Sequence, residues 1–203
     1  MGGKKRVAIV GGAGSWGRNY TRAFVEHPGC EVVGLVENAG DRAAAFAAHY
    51  GIETVYRDVD ALLAGVVPEI VSAILPVKYI HDVVIACAEA GVKVISCEKP
   101  IDYELSRADE TVRACVERGA LLGCGTALYM WPHTVALLEW LRAGNLGEVT
   151  GATIPGGLPT EVSGGGCHLL ALMRNLTGLE AEWVEGWLLP PVPEYAGTKP
   201  WHL

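Results

Sequence analysis

Short apolar runs rich in β-branched residues alternate along the first 125 positions with stretches whose apolar residues recur at helical spacing. Val7-Ala8-Ile9-Val10 is apolar throughout and short enough for a strand buried on both faces, and after a glycine-rich loop Asn19 to Glu26 continues as a helix. Glu31 to Val36 reads as a second strand. Asp41 to Tyr50 is alanine-rich and closes at Gly51, a common helix stop. Thr54 to Tyr56 then predicts a short strand, Val59 to Leu63 a short helix ended by Gly65, and Ile70 to Ile74 a buried strand. The pattern continues with a helix from His81 to Ala90, a strand from Val92 to Cys97, a helix from Glu104 to Arg118 and a strand from Ala120 to Cys124. Unbroken alternation of this kind predicts an α/β domain over residues 1–125, built as a doubly wound parallel sheet.

The pattern changes after Cys124. The remaining sequence predicts a helix from Pro132 to Arg142, a strand from Glu148 to Ile154, a helix that opens near His168 and stops at Gly178, and a strand from Glu182 to Leu189. Leu189-Pro190-Pro191-Val192-Pro193 cannot continue a central strand. Two strands and two helices make a poor independent sheet. Residues 126–203 are therefore expected to be a partial α+β domain, cut inside its sheet, and the open strand edges predict a homo-oligomer.

Composition narrows the classes of partner. Half the residues are hydrophobic and 19% are charged, enough for a buried core. A formal net charge of −7 argues against nucleic acid or an anionic membrane as partner. Lys4-Lys5-Arg6 resembles the basic start of a signal peptide, but the apolar stretch behind it stops at Gly11, and no other run approaches a membrane span. Arg6 also stands where a myristoylation signal requires Ser or Thr. The six cysteines have neither CxxC spacing nor a neighbouring His cluster, so they read as small buried residues in a reducing compartment, and no metal site is expected. These features predict a cytoplasmic protein.

The candidate chemistry begins at Gly12-Ala13-Gly14-Ser15-Trp16-Gly17. A chain with 26 glycines in 203 residues produces the GxGxxG spacing by accident about 0.4 times, so context has to decide. The motif follows a predicted strand, precedes a predicted helix, and Glu37 stands at the end of the second strand, where such a unit offers an acid to an adenosine ribose. Alone, Glu37 would read as a solvated acid. In this frame Gly12 permits the tight turn, Gly14 admits a pyrophosphate against backbone, and Gly17 lets helix and strand pack closely. The phosphates would sit on the helix N-terminus with Ser15 and Trp16 beside them. Trp16 either covers the dinucleotide or simply packs. Glu37 can bind two ribose hydroxyls of NAD but repels the 2′-phosphate of NADP, and Asn38 supplies no compensating cation, although Arg42 on the next helix could reach over. NAD is the expected cofactor, with NADP less favoured.

Further segments make the chain resemble the Gfo/Idh/MocA family of NAD(P)-dependent oxidoreductases. They are the Gly12 to Gly17 loop, Pro76 with His81 and Gly91, Cys97-Glu98-Lys99-Pro100, Gly144 to Val149, and Ser163-Gly164-Gly165-Gly166-Cys167-His168. The resemblance implies a Rossmann fold followed by a substrate domain, and hydride transfer between nicotinamide and a secondary alcohol or ketone of a sugar, inositol or similar polyol. It implies that Lys99 lies near the reacting oxygen, that His168 is the acid/base, and that Pro76, His81 and Glu98 flank the cofactor. An ammonium stabilises a developing alkoxide and an imidazole titrates near working pH, so both catalytic roles are chemically reasonable. His81 also reads as a structural residue at a helix N-terminus. Many members carry acids four residues before and three residues after the histidine, where this chain has Gly164 and Ala171. That departure and the short second domain keep open a second reading, a non-catalytic dinucleotide-binding sensor or scaffold.

Overall fold

The computed structural model describes residues 3–38, 40–155, 158, 165–183 and 185. The chain divides into two compact units, Met1–Gly125 and Thr126–Leu203.

The first unit is a six-stranded sheet of β1 (Lys5–Val10), β2 (Cys30–Val36), β3 (Val55–Tyr56), β4 (Ile70–Ala73), β5 (Val94–Cys97) and β6 (Leu121–Cys124), in the order β3-β2-β1-β4-β5-β6. Every pairing is parallel, which makes this the α/β Rossmann arrangement. The connecting helices are α1 (Gly17–Glu26), α2 (Asp41–Tyr50), α3 (Val59–Gly65), α4 (Val77–Glu89) and α5 (Leu105–Glu117).

The two-residue period of β1 explains why both faces are covered. Val7 and Ile9 point into one core with Leu35 and Ala47, against Phe24 and Phe46 of α1 and α2. Ala8 and Val10 point into the other with Val71, Ala73 and Ile95, beneath Ile80, Val84 and Cys87 of α4 and Leu62 of α3. The uninterrupted apolar run is thus a strand buried on both sides. Cys87, Cys97 and Cys115 are buried in this second core, in keeping with their reading as small apolar residues.

Two helices begin earlier than their apolar pattern suggests. α1 starts at Gly17 rather than Asn19, and α4 starts at Val77 rather than His81. Pro76 stands at the N-cap of α4 with φ −56°, an angle already suited to helix entry, so the helix gains a first turn that periodicity alone does not reveal. His81 consequently lies in the second turn and does not cap the helix.

The second unit contains a 3-10 turn (Ala127–Met130), α6 (Pro132–Arg142) and α7 (Cys167–Thr177). The strand expected at Glu148–Ile154 is not formed. Among the described residues of this unit no other strand lies alongside to complete a ladder, and a lone extended segment has no partners for its backbone groups. Of the strand expected at Glu182–Leu189, residues 182, 183 and 185 are irregular backbone and the rest lie outside the described residues, as do Gly164 and the proline-rich segment after Leu189.

Candidate functional site

The sheet order reverses between β1 and β4, so the loops leaving these strands diverge and leave a crevice at their carboxyl ends. Gly11 makes the turn out of β1 with φ +80°, and a Cβ there would stand 2.3 Å from the Ile74 carbonyl oxygen at the end of β4. The tight turn therefore belongs to Gly11 rather than to Gly12, the residue to which the motif assigns it. Gly12 is needed for a different reason, since its Cβ would fall 2.6 Å from the Thr21 hydroxyl oxygen and 2.8 Å from Leu35. Gly17 allows α1 to close on the loop, because a Cβ would meet the Gly11 carbonyl oxygen at 2.2 Å. At Gly14 the nearest atom to a Cβ would be the same oxygen at 3.3 Å, so one face of the loop is open backbone, as a diphosphate requires. Ser15 is exposed beside it, and its carbonyl accepts from the Arg18 guanidinium at 2.9 Å.

Glu37 follows β2 and reaches the same loop. Its Oε2 accepts from the Ala13 amide at 3.3 Å and its Oε1 from the Asn38 amide at 3.1 Å. The Glu37 amide itself donates to the Tyr56 carbonyl at 3.0 Å, which fixes the backbone from which the carboxylate projects. The acid and the glycine loop, 24 residues apart in sequence, are thus in direct contact. Asn38 is exposed.

At the end of β5 the buried Glu98 carboxylate is held by two donors from the glycine-loop side. Trp16 Nε1 donates to Oε1 at 3.0 Å and the Tyr20 hydroxyl donates to the same oxygen. Burial, and then the adjacent carboxylate, push the Tyr20 phenol well above its ordinary range and keep it a donor. Tyr20 is missing from the motif reading. The signal that could have found it is its position four residues after Trp16, on the same helix face.

The strand end beneath Glu98 carries two thiols. Cys97 and Cys124 are register partners on β5 and β6 and share a hydrogen bond that pushes Cys97 up and pulls Cys124 down, the latter helped by the Lys99 charge. Cys124 Sγ donates to the Glu98 carbonyl at 3.5 Å. Lys99 is half-buried. Beyond it, Asp102 accepts from the Tyr103 and Glu104 amides at 2.7 and 3.1 Å and from the Arg107 guanidinium at 3.0 Å. Burial acts to raise the Asp102 carboxyl, but these bonds outweigh it and hold the group below the usual carboxylate range.

Pro76 is exposed at the end of β4, on the crevice side of the sheet. His81 is buried and turned toward α5, with Nδ1 2.9 Å from Thr111 Oγ1 and 3.2 Å from the Arg107 carbonyl. The Thr111 hydroxyl donates to the Arg107 carbonyl at 2.9 Å, so it accepts from His81 and the ring hydrogen belongs on Nδ1. The polar end of the ring thus joins α4 to α5. In the second unit, His168 is the second residue of α7 and half-buried, and Ala171, one turn on, supplies no carboxylate. Lys99 and His168 belong to different units.

A cavity of about 350 Å3 lies elsewhere, lined by Lys4, Cys30, Tyr50 and Glu53 at the amino-terminal ends of the strands. That is the wrong end of a parallel sheet for the expected ligand. No described helix is long and apolar enough to cross a membrane.

A family model described as an oxidoreductase family with an NAD-binding Rossmann fold, Gfo/Idh/MocA, matches residues 5–126. The chain is 31% identical over 136 residues to a D-apiose dehydrogenase of Paraburkholderia graminis, covering 67% of this chain and 36% of that protein. It is 30% identical over 143 residues to an inositol 2-dehydrogenase of Rhizobium meliloti, covering 70% and 42%. The crystal structure of a putative myo-inositol dehydrogenase from Sinorhizobium meliloti superposes with a TM-score of 0.75 at 26% identity, covering 87% of this chain and 56% of that one. The chain thus spans roughly two fifths of the length of the curated relatives it matches.

Proposed function

The chain belongs to the Gfo/Idh/MocA oxidoreductase family, and from that membership we propose that it binds NAD, in preference to NADP, for hydride transfer on a secondary alcohol or ketone of a sugar, inositol or similar polyol. The observation that supports this most directly is the contact of Glu37 with the Ala13 amide of the glycine loop. It sets an acid for a ribose diol beside backbone for a diphosphate. Gly14 leaves room for such a group, and Gly12, Gly14, Ser15, Trp16, Gly17, Glu37, Asn38 and Pro76 are the residues we assign to hold it.

When bound, the nicotinamide ring accepts a hydride from an alcohol carbon or returns one to a ketone. Lys99, at the end of β5, is assigned to hold the reacting oxygen and stabilise the negative charge that grows on it. His168 is assigned to take the hydroxyl proton during oxidation and give it back during reduction. Residues 126–203 then form part of a domain that contacts substrate and other copies of the chain, in a cytoplasmic homo-oligomer.

Calorimetry with NAD and NADP tests the cofactor assignment. NAD is expected to bind more tightly, and Glu37→Ser combined with Asn38→Arg is expected to reverse the order, because the repulsive carboxylate is removed and a cation is placed beside its position. Equal loss for both coenzymes would place the site elsewhere. Incubation with NAD and a panel of polyols, followed by nicotinamide absorbance, tests catalysis, and turnover should disappear in His168→Ala while NAD still binds. Because Ala171 leaves α7 without an acid beside His168, tight binding with no turnover on any polyol would favour the sensor reading instead.

A further inference from the structure

The glycine loop and the segment bearing Lys99 come from opposite sides of the sheet reversal, yet one carboxylate joins them. Glu98 immediately precedes Lys99 and is buried, while its Oε1 accepts from Trp16, the N-cap residue of α1, and from Tyr20, one turn into that helix. The 55% exposure of Trp16 shows that the ring is not there to fill the core. Its indole N–H nevertheless reaches the acid at 3.0 Å. The span between partners, 82 and 78 residues, means that the contact closes a long loop rather than a local turn.

We propose that Glu98 is a positioning residue for the dinucleotide, clamping Trp16 and Tyr20 so that the glycine loop is held in the conformation that receives a diphosphate. This rests on the dinucleotide reading of the site and adds to it a role that works through the loop. Hydrogen bonds to an ionised acceptor are stronger than neutral ones, and two on a single oxygen fix both the first turn of α1 and the entry to it. A loop already fixed pays less ordering entropy when the cofactor arrives, so the clamp raises affinity. It also ties α1 to the backbone next to Lys99, so that the loop and the reacting end of the site move as one body.

Titration calorimetry of the full chain with NAD tests this, using Trp16→Phe, Tyr20→Phe, Glu98→Gln and the doubles that combine Glu98→Gln with each aromatic change. Tyr20→Phe and Glu98→Gln keep the shape of the side chain, Trp16→Phe keeps an aromatic ring without the N–H, and thermal unfolding confirms that each variant is folded. Each aromatic change is expected to weaken NAD binding about tenfold in the parent background and much less once Glu98 is already Gln, because the charged acceptor they share is gone. A purely structural contact would lower the unfolding midpoint and leave NAD affinity where it was. Unchanged affinity in all three single variants, or strictly additive losses in the doubles, would overturn the clamp while leaving the dinucleotide site standing. Absence of NAD binding by the unmodified chain would remove both.

Discussion

Gly17 has no room for even one methyl group. Its Cβ would lie 2.2 Å from the Gly11 carbonyl oxygen and 2.9 Å from Gly12, all backbone, so no rotamer change can relieve the overlap. Gly17→Ala is therefore expected to cost about 1–3 kcal/mol in denaturant unfolding, as overpacking does, and to weaken NAD binding by pushing α1 off the loop. Gly14→Ala meets a single oxygen at 3.3 Å and should fold almost normally, with its loss confined to cofactor affinity. The contrast separates a glycine needed by the fold from one needed by the ligand, which unfolding and calorimetry on the two variants would read directly. Spacing alone could name all the motif glycines but not divide their labour, because the positive φ falls on Gly11, a residue outside the motif.

At the scale of the element, much of the first unit was legible. Helix α2 matches its expected bounds, and the strands agree to within a residue or two, because runs such as Val7 to Val10 have one physical solution when both faces are buried. Helix starts were less legible, since Pro76 initiates α4 through its backbone angle rather than through apolar spacing. The Glu148–Ile154 expectation failed for a non-local reason: its pattern suits a strand, but strands exist only in pairs. His81, which belongs both to the family pattern and to the α4–α5 link, can be assigned by substitution. His81→Ala should destabilise by about 1–3 kcal/mol, by leaving Thr111 without its donor, and leave NAD affinity intact. Loss of NAD binding in a fully folded variant would instead make it a cofactor contact. Asp102 gives a pH signature at the start of α5. Its folded carboxyl titrates below its unfolded value of about 3.9, so the stability it adds is complete above that pH and disappears as pH falls through the lower folded value. Acid unfolding of Asp102→Asn should accordingly be shallower than that of the parent chain.

For the whole molecule, a dinucleotide held by the first unit should stabilise that unit. At a hundred times its dissociation constant, NAD is expected to add about 2.7 kcal/mol to the unfolding free energy, and hydrogen exchange should localise the protection to the glycine loop, α1 and the end of β2. Uniform protection, or none in this region, would argue against the site. The strand order has a further consequence for how the chain is made. β1 is synthesised before the other strands of this sheet and lies in its interior, and its second neighbour supplies Ala73 to pair with Val10, 63 residues later. At cellular elongation speeds of about 5–20 residues per second, one flank of that first strand waits about 3–13 s for its mate. A nascent chain that has exposed β1 but not yet β4 thus offers a sticky edge to chaperones and to other copies, and a translational pause before β4 emerges should raise the yield of aggregate more than the same pause after it.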